Sequence, residues 1–187
     1  MENSKTYTVT IYSENQIGLL VQISNIFTRR SLSIWSLSAS ASSIAGIHTI
    51  TIITDSCSEK KIQEVVMQLE KRVDVVKAFY YTNDQIIYRE LALYKMSTDK
   101  LLECGKIEDL LTRYNARIVE MNKTFTVIQK TGKTEETQQL YDDLNNYGVM
   151  QFIRSGRIAV TKEKLEPVKD FIIEREMEKN KIINNNK

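Results

Sequence analysis

Residue types on which catalytic and metal-binding proteins depend are scarce in this chain of 187 residues. Its single histidine, His48, excludes a histidine-rich metal site and leaves any Ser-His-Asp triad dependent on one residue. His48 lies in the segment GIHTITIIT, where the pattern favours a polar strand residue over a catalytic base. The two cysteines, Cys57 and Cys104, are far apart without a CxxC spacing, so we interpret them as reduced thiols.

Long hydrophobic runs and an excess of one charge are also missing. No apolar run approaches the roughly 20 residues of a membrane span, and the start, MENSKTYTV, lacks the pattern of a signal peptide. The net charge is +2 and acidic and basic residues are interspersed, which gives no electrostatic basis for nucleic-acid binding. These absences predict a cytoplasmic protein that binds neither nucleic acid nor membrane.

Phosphate-binding and catalytic motifs are absent as well. Neither GxxxxGK[ST] nor GxGxxG occurs, and the acidic residues fall mostly on the polar faces of predicted helices. A small enzyme of the acylphosphatase type would need an arginine in a glycine-containing loop after the first strand. That loop has Gly18 but no arginine, so a binding module is favoured over an enzyme.

The segment from Tyr7 to Ser38 is the most informative part of the chain. Its residues alternate up to Tyr12, as in a strand, and from Gly18 the apolar residues follow a helical spacing. The pattern returns to a strand near Leu32, and a turn ending at Gly46 leads to the next strand. This order predicts a strand, a short polar loop, a helix and a hairpin.

The remaining pattern completes two copies of one plan. A helix from Ser58, its predicted N-cap, to Lys71 and a strand from Val73 to Tyr81 finish a βαββαβ unit. The second copy is predicted as a strand, a helix, a hairpin, a helix capped by Thr134 and a strand. Its predicted segments are 86–96, 98–114, 116–121 with 124–129, 134–147 and 149–153.

The predicted fold class is therefore α+β, with two tandem ferredoxin-like (βαββαβ) plaits. We predict the first domain over residues 1–82, the second over 83–161 and a charged helical tail over 162–187. For the tail, a solvated segment is favoured over a partner-binding helix.

The loop from Asn15 to Gly18 is the candidate binding site. A helix that begins there offers unpaired backbone N–H groups and a positive dipole end, which suit a carboxylate. Gly18 lets a ligand approach closely, and Asn15 can donate and accept hydrogen bonds. A purely structural interpretation is as well supported as this binding one: Asn15 only caps the helix or makes a turn, and Gly18 relieves crowding.

Four stretches carry a resemblance to a known family. They are ENQIGLLVQISNIFTRRSLSIWSL, Lys71 to Val75, Tyr88 to Leu93, and Arg154 to Arg157. The first resembles the opening of an ACT domain, and the four together resemble the small regulatory subunits of acetolactate synthase over roughly residues 6–161.

The resemblance implies a protein without chemistry or cofactors of its own. In that family a large catalytic subunit holds thiamine diphosphate, FAD and Mg²⁺. The small subunit binds and activates it, and often confers feedback inhibition by valine or another branched-chain amino acid. Effectors bind between two ACT domains paired edge to edge in a homodimer or higher oligomer, and the second plait dimerises too. The expected effector-binding residues are Asn15, Gln16, Ile17, Gly18, Leu19, Leu20, Ser33 and Ile34.

Two positions depart from the family pattern of Arg-Gly-Tyr-Asn-Ile before the second strand. Ser31 replaces the glycine, and Ser33 replaces an asparagine whose amide holds the effector. Losing one hydrogen bond costs about 1 kcal/mol, and about 1.4 kcal/mol is a tenfold change in affinity.

The alternative to a regulatory subunit is a free-standing ACT-type amino-acid sensor. Such a sensor would need an output module, for which two plaits leave no room.

Overall fold

The computed structural model describes residues 5–56, 58–103, 107–163 and residue 168. The chain divides into two compact units, Met1–Ile87 with Val160–Lys187, and Tyr88–Ala159. Both cysteines lie outside the described residues. So does the predicted helical tail, apart from its first two residues and the buried Val168.

The described elements of the first unit up to Thr82 form one antiparallel sheet with two helices. The sheet order is β2-β3-β1-β4, and each neighbouring pair is antiparallel. The predicted βαββαβ order is confirmed. Its elements are β1 (Lys5–Glu14), α1 (Leu19–Thr28), β2 (Ile34–Ala41), β3 (Ile47–Ser56), α2 (Glu59–Glu70) and β4 (Val75–Thr82).

The core of this unit lies between the helices and one face of the sheet. Tyr7, Val9 and Ile11 alternate along β1 and are almost completely buried, as the strand period requires. The buried residues of α1 follow the helical period, with Ile23 and Phe27 at the centre of its stripe. The alternating residues of β1 and the helically spaced residues of α1 therefore pack together in one apolar cluster.

The outer face of the same sheet is also largely buried. Thr8, Thr51 and Ile53 lie on this face, and none is more than 8% exposed. Burial, together with the nearby Tyr12 and Glu163, raises the pKa of Tyr81 to about 12. This face therefore offers little free surface.

The second unit repeats the arrangement with one extra strand. Its sheet order is β6-β7-β5-β8, and β9 pairs with β5. Its elements are β5 (Ile86–Ser97), α3 (Thr98–Glu103), α4 (Ile107–Tyr114), β6 (Arg117–Met121), β7 (Phe125–Gly132), α5 (Thr134–Asn145), β8 (Val149–Arg154) and β9 (Ile158–Thr161). The four-residue β9 was not predicted, because so short a strand shows almost no periodicity.

Several predicted boundaries and caps differ from the structure. Ser58 precedes α2, but its side chain makes no capping bond; its N–H donates to Ser56 Oγ at 3.1 Å. Thr134 is the first residue of α5, and its hydroxyl donates to Glu90 Oε2 at 3.0 Å instead of capping. Val73 precedes β4 and is 96% exposed. The helix predicted over 98–114 contains α3 and α4, with 104–106 outside the described residues.

Two of the stretches that carried the family resemblance contact each other in the second unit. The N–H of Ser155 donates to the carbonyl of Leu91 at 2.7 Å, and the N–H of Leu91 donates to Ser155 Oγ at 2.9 Å. The guanidinium of Arg157 lies 3.8 Å from the centre of the Tyr88 ring. These contacts keep the chain beside β5 for a few residues after β8 ends at Arg154.

Glu90 is the buried charge at the centre of this contact. It is 7% exposed, and its carboxylate accepts hydrogen bonds from the hydroxyls of Thr134 and Thr137. Arg154 Nη1 lies 3.6 Å from Glu90 Oε1. The carboxylate also lies beside the first turn of α5, where the helix dipole favours a negative charge. Glu90 therefore joins β5, α5 and β8.

We predict that Glu90→Ala lowers the free energy of unfolding by about 2–4 kcal/mol, because the hydroxyls of the buried Thr137 and the half-buried Thr134 and the guanidinium of Arg154 lose their acceptor. Urea denaturation followed by circular dichroism measures the change. The matched control is Glu120→Ala, at an exposed position of β6, which should stay within about 0.5 kcal/mol of the unsubstituted protein. Equal stability of the two variants would contradict the role of Glu90.

Candidate functional site

The loop between β1 and α1 is presented to solvent. β1 ends at Glu14, Ile17 and Gly18 form a turn, and α1 begins at Leu19. Asn15 and Gln16, like Ile17 and Gly18, are exposed, and the Ile17 side chain has no cover at all. An apolar side chain that is fully exposed to solvent is available for contact with a ligand or a second chain.

The start of α1 has open hydrogen-bond donors. Gly18 occupies the N-cap position, and no side chain caps the helix. The N–H of Leu19 donates to the carbonyl of Gln16 at 3.3 Å. The N–H groups of Leu20 and Val21 have no backbone acceptor among the described residues. Asn15 therefore does not cap this helix, and its first turn can receive an anionic group.

Gly18 is needed for its backbone conformation and not for space. Its φ angle is +82°, in the left-handed region that side-chain-bearing residues rarely adopt. A Cβ added there would meet nothing within 4 Å. The interpretation that Gly18 relieves crowding within the chain is therefore wrong.

The apolar residues around the loop point in different directions. Leu19 is 4% exposed and belongs to the core of the first unit, so its side chain is not presented at the surface. Leu20 is 44% exposed, and Ile17 is fully exposed. Of the three apolar side chains predicted to contact the effector at this loop, Ile17 and Leu20 are therefore accessible.

Ser33 and Ile34 lie at the other end of the sheet from this loop. Ile34 pairs with Thr54 of β3, whereas Glu14 pairs with Ile47 of the same strand. The seven residue steps from Ile47 to Thr54 correspond to about 23 Å along a strand. Ser33 is exposed, and its carbonyl accepts a hydrogen bond from Thr54 Oγ1 at 2.7 Å. One chain therefore does not bring its own loop and Ser33 together.

Two polar side chains near the helix start were not singled out from the sequence. Ser13, one residue before Glu14, is fully buried, and its Oγ has no hydrogen-bond partner among the described residues. The Oε1 of Gln22 is likewise buried and unpaired. Gln22 follows Gly18 by one turn, and its N–H donates to the Gly18 carbonyl at 3.2 Å. The only sequence signal was that Ser13 continues the inward alternation of β1.

The described residues also lack groups for other kinds of site. They hold no set of three His, Cys, Asp or Glu side chains placed to bind a metal. None of their helices combines the length and the hydropathy that a membrane crossing requires.

Comparison with known families assigns both units. Residues 9–77 match the model of the AHAS small subunit-like ACT domain, and residues 89–163 match that of the small subunit of acetolactate synthase. Between them the two models cover most of the chain. The chain belongs to the acetolactate synthase small-subunit family. The ACT match contains the loop from Asn15 to Gly18, and the second match contains Glu90 and Arg154.

Two bacterial relatives in this family share most of their length with the chain. The acetolactate synthase small subunit of Bacillus subtilis is 29% identical over 82% of this chain and 89% of its own length. That of Mycolicibacterium smegmatis is 28% identical over 84% of this chain and 91% of its own length. The crystal structure of the Thermotoga maritima small subunit has the same fold, with a TM-score of 0.77 and 23% identity. It covers 86% of this chain and 99% of that one.

We predict that Gly18→Ala lowers the free energy of unfolding by about 1–2 kcal/mol, because alanine is strained at this positive φ. Urea denaturation measures the loss. Gly46→Ala is the matched control, since Gly46 has a φ of +77° and equally open surroundings. The two losses should agree, and a neutral Gly18→Ala beside a destabilising Gly46→Ala would contradict the conformational explanation.

Proposed function

We propose that this chain is a non-catalytic regulatory subunit that binds the large subunit of acetolactate synthase and raises its activity. Its membership of the small-subunit family carries this proposal. The exposed loop from Asn15 to Gly18 supports it, because the loop offers hydrogen-bond donors but no group for acid–base or nucleophilic chemistry. Thiamine diphosphate, FAD and Mg²⁺ belong to the large subunit in this proposal.

The loop fits the recognition of an amino acid. A carboxylate would accept hydrogen bonds from the free N–H groups of Leu20 and Val21 at the positive end of α1. The exposed side chains of Ile17 and Leu20 would cover an aliphatic side chain. A branched-chain amino acid, with valine as the first candidate, has both features and is the effector in this proposal.

A second copy of the chain would complete the effector site. β2 is an edge strand of the first sheet, and its residues are exposed or half-buried. Antiparallel pairing of β2 with β2 of a second copy reverses the direction of the partner sheet. The Ser33 and Ile34 end of one copy then lies at the loop end of the other. We therefore propose a homodimer, paired through β2, with two effector sites that each use both copies.

The remaining assignments complete the proposal. The ACT domain comprises residues 1–82 and the C-terminal ferredoxin-like domain residues 83–161, with a charged tail after them. The protein acts in the cytoplasm, in the biosynthesis of branched-chain amino acids. It shifts the large subunit between conformations, and an effector changes that balance by its different affinities for the two states.

The test is an acetolactate assay with the purified chain and the purified large subunit, separately and mixed. We predict no turnover by this chain alone and a higher rate for the mixture than for the large subunit alone. Turnover by the isolated chain would contradict the non-catalytic role. Valine binding without any binding to the large subunit would favour the free-standing sensor.

Mixing two defective variants tests the shared effector site. Gly18→Asp adds a charge that repels a carboxylate at the loop, and Ser33→Asp does so at the other half of the site. Each variant alone should lose most valine binding in calorimetry. In a mixed dimer, one of the two effector sites combines the unsubstituted loop of one copy with the unsubstituted Ser33 of the other and is therefore intact. Refolding the two variants together should therefore restore measurable binding.

Two outcomes would contradict the effector site. Continued absence of binding in verified mixed dimers would contradict its division between two copies. Full valine binding by Gly18→Asp alone would contradict the loop as the carboxylate site. Gly46→Asp is the control for strain, since it introduces the same residue at a similar φ.

A further inference from the structure

The sheet of the second unit has one covered face and one open face. Ala92, Tyr94 and Met96 of β5 point into the core together with residues of all three helices of this unit. Leu91 and Leu93 alternate with them and are 38% and 37% exposed. Because successive strand residues point to opposite sides, these partly exposed leucines mark the face that lies opposite the described helices of this unit.

The strand register shows which residues share this open face. Directly paired residues of antiparallel strands point to the same side of a sheet. Arg117 pairs with Gln129, Gln129 pairs with Leu93, and Leu93 pairs with Ile153. These four residues form one continuous row across β6, β7, β5 and β8. The row is cationic and polar at β6 and apolar at β8, where Ile153 is 53% exposed.

The positions on either side of this row are more mixed in character. Thr131 pairs with Leu91 on one side of the row, and Val127 pairs with Lys95 on the other. Lys95 Nζ lies 4.4 Å from the centre of the Phe125 ring, so its charge stays above the same face. The open face therefore combines aliphatic side chains with the basic Arg117 and Lys95 and with the acidic Glu120, which pairs with Val127.

A cavity of about 260 Å³ lies at the polar end of the row. It is lined by Asn115, Arg117, Gln129 and Thr131. Arg117 forms no ion pair within the part of the chain that the structure describes. A guanidinium presents a planar fork of donors that matches a carboxylate, and the amides and the hydroxyl add further hydrogen-bonding groups. The cavity suits the carboxylate of an aspartate or glutamate side chain.

We propose that this open face is the docking surface for the catalytic large subunit, an inference that rests on the proposed function. The large subunit presents a patch whose apolar side chains pack on Leu93 and Ile153. An acidic side chain of the same patch enters the cavity at Arg117. The apolar side chains and the acidic side chain of the partner must lie about three strand spacings apart, roughly 14 Å. This distance restricts which partner surfaces fit.

A second copy of this chain fits the face less well. Two copies stacked about a two-fold axis along the row place Arg117 against Arg117, and an axis across the row places it against Ile153. The first arrangement opposes like charges, and the second buries a charge against an apolar side chain.

The acidic helical side of another copy could oppose the basic face, since α5 carries Glu135, Asp142 and Asp143. That contact is head-to-tail and leads to open chains of molecules unless the rotation closes a ring. A different protein with an acidic and apolar patch satisfies the face without this consequence.

The experiment measures binding of the full chain to the purified large subunit by calorimetry, together with activation in the acetolactate assay. Arg117→Glu should weaken binding at least tenfold and remove part of its salt dependence. The double variant L93Q/I153Q should also weaken binding at least tenfold. Both variants should keep the valine affinity of the unsubstituted chain, which shows that the first unit is intact.

Two variants on the helical side are the matched controls. Arg113→Glu reverses a charge on α4, and Leu102→Gln replaces a 63% exposed leucine on α3. Both should bind the large subunit within twofold of the unsubstituted chain. Circular dichroism and urea denaturation of all four variants exclude unfolding as the cause of weaker binding.

The outcomes separate this inference from the proposed function. If the unsubstituted chain binds and activates while the face variants bind equally well, the docking surface is wrong and the regulatory role stands. If the unsubstituted chain does not bind the large subunit, both proposals fail. A lower oligomeric mass of Arg117→Glu alone, measured by sedimentation, would assign the face to a second copy and overturn this inference.

Discussion

The antiparallel pairing of β3 with both β1 and β2 determines where every residue of the candidate effector site lies. It places Glu14 beside Ile47 and Ile34 beside Thr54, at opposite ends of one sheet. The loop after β1 and the residues before β2 therefore cannot meet within a chain, however the loops are arranged. A site that uses both must take one half from a second chain, and the exposed edge at β2 supplies the surface for that pairing. Dimerisation and effector binding become a single property in this proposal.

The second unit has the same fold but a different distribution of buried and exposed polar groups. Its most buried polar contacts, around Glu90, hold β5, α5 and the chain after β8 together. They lie on the helix-covered side and at one edge, and they leave the opposite face with Leu93 and Ile153 exposed. The corresponding face of the first unit is hydroxyl-rich and largely buried, with Thr8 and Thr51 at its centre. In the combined proposal the first unit senses the effector, and the second transmits its state to the large subunit.

Much of the fold could be predicted because strand and helix periods are local properties of a sequence. Tyr7, Val9 and Ile11 alternate, and the change of period at Gly18 identified the start of α1. The N-cap predicted at Thr134 does not form, and the reason is a tertiary contact. Thr134 has the residue type of an N-cap, but its hydroxyl bonds to Glu90, 44 residues away along the chain. Leu19 was expected at the effector surface, yet its position in the helical stripe turns it toward the core.

The order of elements, the family and the glycine at the helix start all follow from the amino-acid sequence alone, since each depends on neighbouring residues or on matching segments. The tertiary structure decided which ends of the sheet meet and which face remains open. It also showed that the stretches around Glu90 and Arg154, more than 60 residues apart, form one contact. These are consequences of strand order and register, which depend on pairing between distant segments. No local pattern contains that information. The same alternation of residues along a strand is compatible with pairing to different neighbouring strands and at different positions along them.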